Sequence, residues 1–401
     1  MRRTLALVAL AAVAALAVSL VAGAAPRATP GVTSSEILLG GSAPFSGEAS
    51  AAGAVARGAN AYFQYVNAQG GVFKRKINYK TLDDGYVPAT TVQNARQLVQ
   101  QDQVFALFNT VGTENNLAIR SFLNQLGVPQ LFVAAGATAF GKDAGKYPWT
   151  IGYIPSYGGE GKIYGQYIHK TKPTAKVAVL YQDDDYGNDL VNGLKKGLGK
   201  QAGKMVKVGY DPTSSDVQSQ IAQLKASKAT VLCIFAFGKF SIQAYTYLNK
   251  LGWHPQVYVN DVASAASLMV LNPPKVAEGS ISIVFAKDPG SPQWKKDKGI
   301  KLYNTVMKRY YPDGLRNSFA AAGAAAAFTM VDTLKKAGKN LTREGVMRAA
   351  THLTEKNNPF VLPGAVVKTA PGNRFPVAQV KLQRWHAGHW VIFGKLLSAK
   401  P

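Results

Sequence analysis

The sequence predicts an α/β fold with two lobes, each built on a parallel β-sheet that is covered by helices. Strand-like and helix-like segments alternate between residues 36 and 133, and the alternation starts again between residues 176 and 259. The chain has 401 residues, which is more than one ordinary hydrophobic core accommodates. Because no low-complexity linker divides the two sets, we expect the chain to cross between the lobes more than once.

The first set of elements begins with a strand at Glu36–Gly41 and ends with a strand at Val128–Val133. Helical spacing of apolar residues marks its helices, and alternating or short apolar runs mark its strands. The intervening segments are, in order, helix Gly53–Ala68, strand Lys76–Leu82, helix Ala89–Gln100, strand Val104–Phe108 and helix Asn115–Leu126. This order predicts parallel strands joined by helices, as in a Rossmann-like lobe.

The second set has the same order and predicts a second Rossmann-like lobe. Its segments are strand Lys176–Tyr181, helix Gly187–Lys200, strand Met205–Gly209, helix Ser214–Ala226, strand Ala229–Phe237, helix Phe240–Leu251 and strand Gln256–Val259. Beyond them we expect strand Ile281–Phe285, helices Gln293–Tyr310 and Ser318–Lys336, and a terminal hairpin of Val377–Arg384 and His389–Phe393.

Residues 1–24 have the pattern of a cleavable secretory signal peptide. Arg2 and Arg3 precede the apolar run Leu5–Val21, and Ala22–Ala24 supplies the small residues that a signal peptidase needs. The alternative is a transmembrane anchor, for which the apolar run is short. We therefore expect the mature chain to begin near Ala25 and to be periplasmic or secreted.

Composition and charge narrow the functional classes. The lone cysteine, Cys233, lies in an apolar run, where it is expected to be a small core residue without a disulfide. The formal net charge of +24 raises nucleic acid as a partner, but the basic residues are scattered and no zinc-finger or RNP motif accompanies them. The charge favours solubility or loose attraction to anionic membrane and wall surfaces, and nucleic acid is not expected.

Motifs for nucleotide, metal and catalytic sites are incomplete. The segment Gly136–Asp143 nearly matches a phosphate-binding loop, but Asp143 replaces the hydroxyl residue that binds Mg²⁺. The acidic loop 183–189 lacks the distal Glu of an EF-hand, and His386 and His389 have no third ligand nearby. No Gly-x-Ser-x-Gly elbow is present. We expect no enzyme activity, no cofactor and no metal.

Small, hydroxyl-bearing and acidic residues at predicted strand ends form the candidate binding site. Ligands of open α/β sheets bind at the carboxyl ends of strands, where a following helix N-terminus suits a carboxylate. An acidic residue opposite is suited to an ammonium group, although all of these residues also fit ordinary turns and caps. The candidates are Gly112, Thr113, Gly136, Ala137 and Thr138 in the first lobe and Tyr186, Phe237 and Asp261 in the second.

Five short motifs, taken in their order and spacing, resemble the branched-chain amino-acid-binding (Leu/Ile/Val-binding-like) family of type I periplasmic solute-binding proteins of ABC transporters. The motifs are Ala43–Gly47, Asn67–Val72, Leu82–Asp84, Phe132–Thr138 and Tyr181–Gly187. The resemblance implies a clamshell with three hinge crossovers and a ligand between the lobes. It places lobe I at residues 32–152 and 285–358, and lobe II at residues 153–284 and 359–401.

The resemblance also implies roles for the candidate residues. Gly112–Thr113 and Gly136–Thr138 would hold an α-carboxylate, Asp261 the ammonium group, and Tyr186 and Phe237 would line the cleft. Two small residues, Ala52 and Gly323, replace larger ones that are common in the family, which implies a wider cavity.

The implied function is that of an extracytoplasmic solute-binding protein of an ABC importer. Its implied partners are a small carboxylate-bearing ligand, such as a branched-chain or other amino acid, and a transporter permease in the membrane. The protein is expected to be a monomer. The alternatives are an aromatic acid, amide or short peptide as ligand, or a ligand-sensing receptor.

Overall fold

The first of two β-sheets has five parallel strands. The structure is a computed structural model that describes residues 29–401, so the predicted signal peptide lies outside the described residues. The strands are β1 (Glu36–Ala43), β2 (Lys76–Asp83), β3 (Ala106–Phe108), β4 (Gln130–Val133) and β5 (Thr150–Gly152). Their spatial order is β2-β1-β3-β4-β5.

The second sheet has seven strands. They are β6 (Val177–Gln182), β7 (Val206–Tyr210), β8 (Val231–Phe235), β9 (Gln256–Val259), β10 (Ile281–Val284), β13 (Gln379–His386) and β14 (His389–Ser398). Their order is β14-β13-β10-β9-β8-β6-β7, with β13 and β14 antiparallel to their neighbours and the others parallel. A separate antiparallel pair joins β11 (Thr354–Glu355) to β12 (Val367–Lys368).

Helices connect the parallel strands and cover the sheets. Those that follow the first-sheet strands are α1 (Ala54–Ala68), α2 (Pro88–Arg96), α3 (Thr113–Gln125) and α4 (Ala139–Lys142). Those interleaved with the second sheet are α5 (Tyr157–Thr171), α6 (Asp185–Leu198), α7 (Gln218–Ala226), α8 (Lys239–Lys250), α9 (Ala266–Met269) and α10 (Pro274–Ala277). The last three are α11 (Lys298–Tyr310), α12 (Ser318–Ala337) and α13 (Arg343–Ala350). None of these helices has the length and apolar character needed to cross a membrane.

The chain passes between the two lobes three times, which confirms the predicted fold class. It leaves the first sheet after β5, returns after β10 to place α12 against α1, and enters the second sheet again at β13. Gly323 on α12 lies directly against the backbone of Val55 on α1, so its missing side chain serves helix packing rather than a wider cleft. The residue bounds predicted for the two lobes stay predictions.

Buried parallel strands form the core of each lobe. Every residue of β6 and β8 is buried, as expected for strands that helices cover on both faces. Cys233 on β8 is completely buried and forms no disulfide, and burial raises the pKa of its thiol well above the usual range. The thiol is therefore a core group, as the sequence predicts.

Capping sets several helix bounds that differ from the predicted ones. Helix α11 begins at Lys298 rather than at Gln293, because the Asp297 side chain accepts a 3.0 Å hydrogen bond from the Ile300 amide. Asp184 caps α6 in the same way, through the Gly187 amide at 3.2 Å. In both cases the helix begins where a short acidic side chain accepts from the free backbone donors of the first turn.

Candidate ligand-binding cleft

A cleft lies between the two lobes, and residues from both lobes line it. Its empty space, including the part that opens to solvent, is about 990 Å³. Four of the predicted residues are part of the lining, namely Gly112, Tyr186, Phe237 and Asp261. Ala52, which the sequence singled out as small for its position, lines the cleft as well.

The N-terminus of α3 forms one wall of the cleft. Gly112 precedes the helix with φ of 99°, a conformation that favours glycine, and no side chain caps the helix start. The amides of Gly112, Thr113 and Glu114 donate no hydrogen bond to any residue in 29–401. Thr113 Oγ1 is buried near Tyr157 and makes no hydrogen bond of good geometry within the same range. This wall therefore presents free donors to the cleft.

Asp261 lies on the opposite wall, directly after β9. Its amide donates a 2.6 Å hydrogen bond to Glu160 Oε1. Its own carboxyl oxygens form no hydrogen bond and no ion pair with the described part of the chain, and burial raises the pKa of Asp261 to about 7. A desolvated carboxyl without a partner is stabilised in its ionised form when a cation arrives.

Glu160, on the first turns of α5, lies beneath Asp261 and was not predicted. It is 1% exposed, and its Oε1 also accepts a 2.7 Å hydrogen bond from the Tyr164 hydroxyl. Burial, and secondly the charge of Asp261, raise the pKa of Glu160 to about 8. No local sequence pattern indicates this pair, because the two residues are brought together only by packing of α5 on the second sheet.

Aromatic rings from both lobes close the sides of the cleft. Tyr86 of the first lobe packs on Phe237 of the second, with ring centroids 5.2 Å apart. Tyr157 and Tyr186 form an edge-to-face pair at 5.0 Å, and the Tyr186 hydroxyl donates to the Ala236 carbonyl at 3.2 Å. These rings give an apolar lining with fixed orientation.

Two further charged residues line the first-lobe side. Lys287 Nζ donates to both carboxylate oxygens of Asp297, at 2.9 and 3.0 Å, and to the Pro359 carbonyl at 2.9 Å, so its charge is already compensated. Asp288 Oδ1 accepts from the Gly290 amide at 3.0 Å and from the Ser318 hydroxyl at 3.2 Å, and burial raises the pKa of Asp288. The uncompensated charge of the lining is therefore acidic.

The other four predicted residues are not part of the lining: Thr113, which follows Gly112 on the wall described above, and Gly136, Ala137 and Thr138. The Thr138 amide donates a 2.7 Å hydrogen bond to Asp189 Oδ2 of the second lobe, and its hydroxyl lies 3.1 Å from that of Ser156. The Gly136 carbonyl accepts from the Tyr157 amide at 2.8 Å, and Ala137 is buried in a small apolar cluster. The amide of Thr138 is thus used within the protein, whereas the amides of Gly136 and Ala137 donate no hydrogen bond within residues 29–401. Ligand contact by these residues stays a prediction.

Contacts at the rim hold the lobes together. Glu48 of the first lobe forms an ion pair with Lys239 of the second. Glu114 Oε1 on α3 accepts a 3.0 Å hydrogen bond from the Asp185 amide at the start of α6. With the bond between Thr138 and Asp189, these contacts show the lobes closed over the cleft.

The sequence of residues 36–389 matches the Periplasmic binding protein family. The chain belongs to this family. The match spans the first sheet, all strands of the second sheet up to β13, and every cleft residue described above, and it agrees with the resemblance inferred from the motifs. Family membership assigns the protein an extracytoplasmic role in binding a small molecule.

Two curated relatives of this binding protein are themselves binding proteins. The Leu/Ile/Val-binding protein homolog 3 of Brucella melitensis is 28% identical over 201 residues, which are 49% of this chain and 53% of that protein. The chain thus matches about half the length of that relative. An amino acid binding protein of Pseudomonas aeruginosa is 26% identical over 302 residues, 75% of this chain and 74% of that protein.

Solved structures share the fold of this binding protein at low sequence identity. A branched-chain amino acid ABC transporter protein from Thermus thermophilus with bound valine has a TM-score of 0.80 and 16% identity, covering 92% of this chain and 97% of that one. A solute-binding protein from R. palustris in complex with benzoate has a TM-score of 0.76 and 19% identity, covering 91% and 97%. At these identities the likeness establishes the fold alone.

Proposed function

We propose that this chain is the solute-binding component of an ABC importer and binds a small amino acid between its lobes. The observation that carries the proposal is the opposition of two unsatisfied groups across one cleft. Free backbone donors at the start of α3 lie on the first-lobe wall, and the unpaired carboxyl of Asp261 lies on the second-lobe wall. An α-amino acid has the complementary pair of charges.

The α-carboxylate is assigned to the N-terminus of α3. The amides of Gly112, Thr113 and Glu114 and the hydroxyl of Thr113 are its donors. Helix N-termini favour anions because free N–H groups and the helix dipole act together. The positive φ of Gly112 turns the backbone so that this end of the helix is not covered by a side chain.

The α-ammonium group is assigned to Asp261. Burial raises the pKa of this carboxyl to about 7, so a cation within contact distance restores its ionised form and satisfies it. The described lining offers Asp261 no uncompensated cation, since Lys287 is held by Asp297. A ligand amine is the partner that this wall lacks.

The rest of the cleft sets the space for the ligand side chain. Aromatic rings and the small residue Ala52 suit an apolar side chain, and Asp288 adds an acceptor on the first-lobe side. The lining therefore accommodates a branched-chain or other amino acid. The aromatic rings also favour the second candidate, an aromatic acid, although such a ligand leaves Asp261 without a partner.

A thermal-shift screen tests the proposed ligand class. Each amino acid is compared with the acid of the same carbon skeleton that lacks the amine, together with aromatic acids and amides. Ligand at 100 times its dissociation constant stabilises the folded protein by about 2.7 kcal/mol. Stabilisation by at least one amino acid, and less by its amine-free counterpart, supports the proposal. Stabilisation by aromatic acids alone supports the second candidate and contradicts the first.

The proposed role is non-catalytic transport rather than sensing or turnover. Deletion of the gene should abolish uptake of the ligand found in the screen, whereas a sensing receptor would leave uptake intact. Mass spectrometry of ligand after incubation with the protein should show it unchanged. Product formation would contradict the proposed role.

A further inference from the structure

The charges of the second lobe are separated along its length. Helices α5 and α6 run side by side with their N-terminal ends at the cleft, where Asp189 approaches Gly158 and Thr138. The acidic residues of this region lie at that end and comprise Glu160, Asp183, Asp184, Asp185 and Asp189. The opposite ends of both helices carry only basic charge.

The distal end of the second lobe is built from the C-terminal ends of α5 and α6 and the segments that lead into β6 and β7. Residues 161–182 and 190–210 contain nine lysines and no Asp or Glu. None of the nine forms an ion pair within residues 29–401. We call six of them the basic platform: Lys170, Lys172, Lys176, Lys195, Lys200 and Lys204.

The platform has a fixed scaffold. The side-chain amide of Gln201, itself 9% exposed, donates to the Lys172 carbonyl at 3.0 Å and to the Ala175 carbonyl at 2.9 Å. The His169 ring lies 3.3 Å from Gln201 Oε1. These bonds join the segment after α5 to the segment after α6, so their lysines are held on one surface.

Stabilisation of helix ends does not account for the platform. A lysine in the last turn compensates the helix dipole, and Lys170 and Lys195 occupy such positions. Lys172, Lys176, Lys200 and Lys204 lie beyond the helices, where the dipole effect has faded. Their mutual repulsion opposes folding, so their presence at one end indicates a partner of opposite charge.

We propose that the basic platform docks the protein, end-on, against an anionic phospholipid surface. The lysines are spread over an outer end of the molecule, and a shallow hollow between Lys176 and Lys204 is open to solvent. Such a surface matches an extended plane of phosphates better than an enclosed ligand. The attraction of lysines to anionic bilayers is additive and weakens with salt.

Vesicle co-sedimentation of the exported protein tests this proposal. The platform variant combines Lys172→Gln, Lys176→Gln, Lys200→Gln and Lys204→Gln, which spares the last turn of each helix. The control combines Lys295→Gln, Lys296→Gln, Lys298→Gln and Lys301→Gln, exposed lysines at the start of α11 in the other lobe. Both variants lose the same net charge, and thermal unfolding checks that each is folded.

Wild type should bind vesicles of phosphatidylglycerol and phosphatidylcholine, and not pure phosphatidylcholine, with affinity that falls as salt rises. The affinity of the platform variant for these vesicles should be lower than that of wild type by at least about tenfold, and the affinity of the control should stay within about twofold of wild type. Equal losses in both variants would show diffuse attraction and overturn the platform. Binding to soluble polyphosphate without binding to anionic vesicles would overturn the membrane as partner.

Discussion

The amide of Asp261 donates a 2.6 Å hydrogen bond to Oε1 of Glu160, which places two buried carboxyl groups next to each other at the cleft. Burial raises the pKa of both groups, and the nearby Asp261 raises that of Glu160 further. The ligand-free protein therefore holds protons at neutral pH in the place where we propose that a ligand amine binds.

Affinity for an amino acid should rise between about pH 6 and pH 8. Asp261, with a pKa of about 7, must lose its proton to pair with the ligand ammonium group, which stays protonated over this range. Calorimetry in buffers of different ionisation enthalpy should detect a proton released on binding. Affinity that is flat or falls across this window would contradict the role of Asp261.

The stability of the ligand-free protein should fall as pH rises from about 5 to about 8. Glu160, and also Glu355 with a pKa that burial raises to about 7, keep their protons in the folded state but lose them on unfolding. The folded state thus binds more protons than the unfolded state in this window, and the free energy of unfolding decreases with pH, by about 1–3 kcal/mol.

Glu160→Gln should flatten this pH dependence. The amide oxygen of Gln can still accept from the Asp261 amide and the Tyr164 hydroxyl, but the group cannot ionise. Urea denaturation at several pH values measures the effect, with Glu344→Gln at an exposed site as the control. An unchanged pH slope in Glu160→Gln would show that Glu160 is ionised in the folded protein.

Gly112→Ala should lower affinity for a carboxylate ligand by about tenfold. A Cβ at this position would collide with the Asn115 side-chain amide, would lie 3.0 Å from the Tyr86 ring, and would strain a backbone with φ of 99°. Gly145→Ala is the control, since a Cβ there meets nothing within 4 Å. If calorimetry gives equal affinities for both variants, the start of α3 is not the carboxylate site.

Loss of the ion pair between Glu48 and Lys239 should loosen closure. Lys239→Met removes a partly exposed contact between the lobes, so we expect affinity to fall only about two- to fivefold. Lys250→Met, at the far end of the same helix, is the control for lost charge.

Small-angle scattering should show compaction on ligand binding in wild type. No change at saturating ligand would contradict closure of the lobes.

Local patterns in the sequence were enough to predict the order of the elements. The strand at Glu36 and the helix ending at Ala68 were placed to within two residues at each end, because apolar periodicity depends on neighbouring residues alone. The predicted bounds of helix Ala89–Gln100 were less accurate. Its α-helical part ends at Arg96 and continues as a π-helical turn, Gln97–Gln101, that periodicity does not distinguish.

The cleft was harder to predict, because its geometry depends on how the lobes close. Asp261 and Gly112 follow strands in the sequence, and they were found because ligands of open α/β sheets bind at the carboxyl ends of strands. Glu160 and Asp288 lie on segments that cross between the lobes or follow a crossover, and no local pattern marks them. Thr138 also follows a strand, yet closure directs its amide to Asp189 instead of the cleft.

Titration calorimetry of wild type and Asp261→Asn with leucine and with 4-methylpentanoate, its amine-free counterpart, tests the central claim most directly. If leucine is not the ligand found in the screen, that amino acid and its own amine-free acid replace the pair. Wild type should bind the amino acid more tightly than the amine-free acid. Asp261→Asn should weaken binding of the amino acid by on the order of 2–5 kcal/mol, thirtyfold or more, and should change the affinity for the amine-free acid little. An amino acid affinity in Asp261→Asn within twofold of wild type would contradict the account.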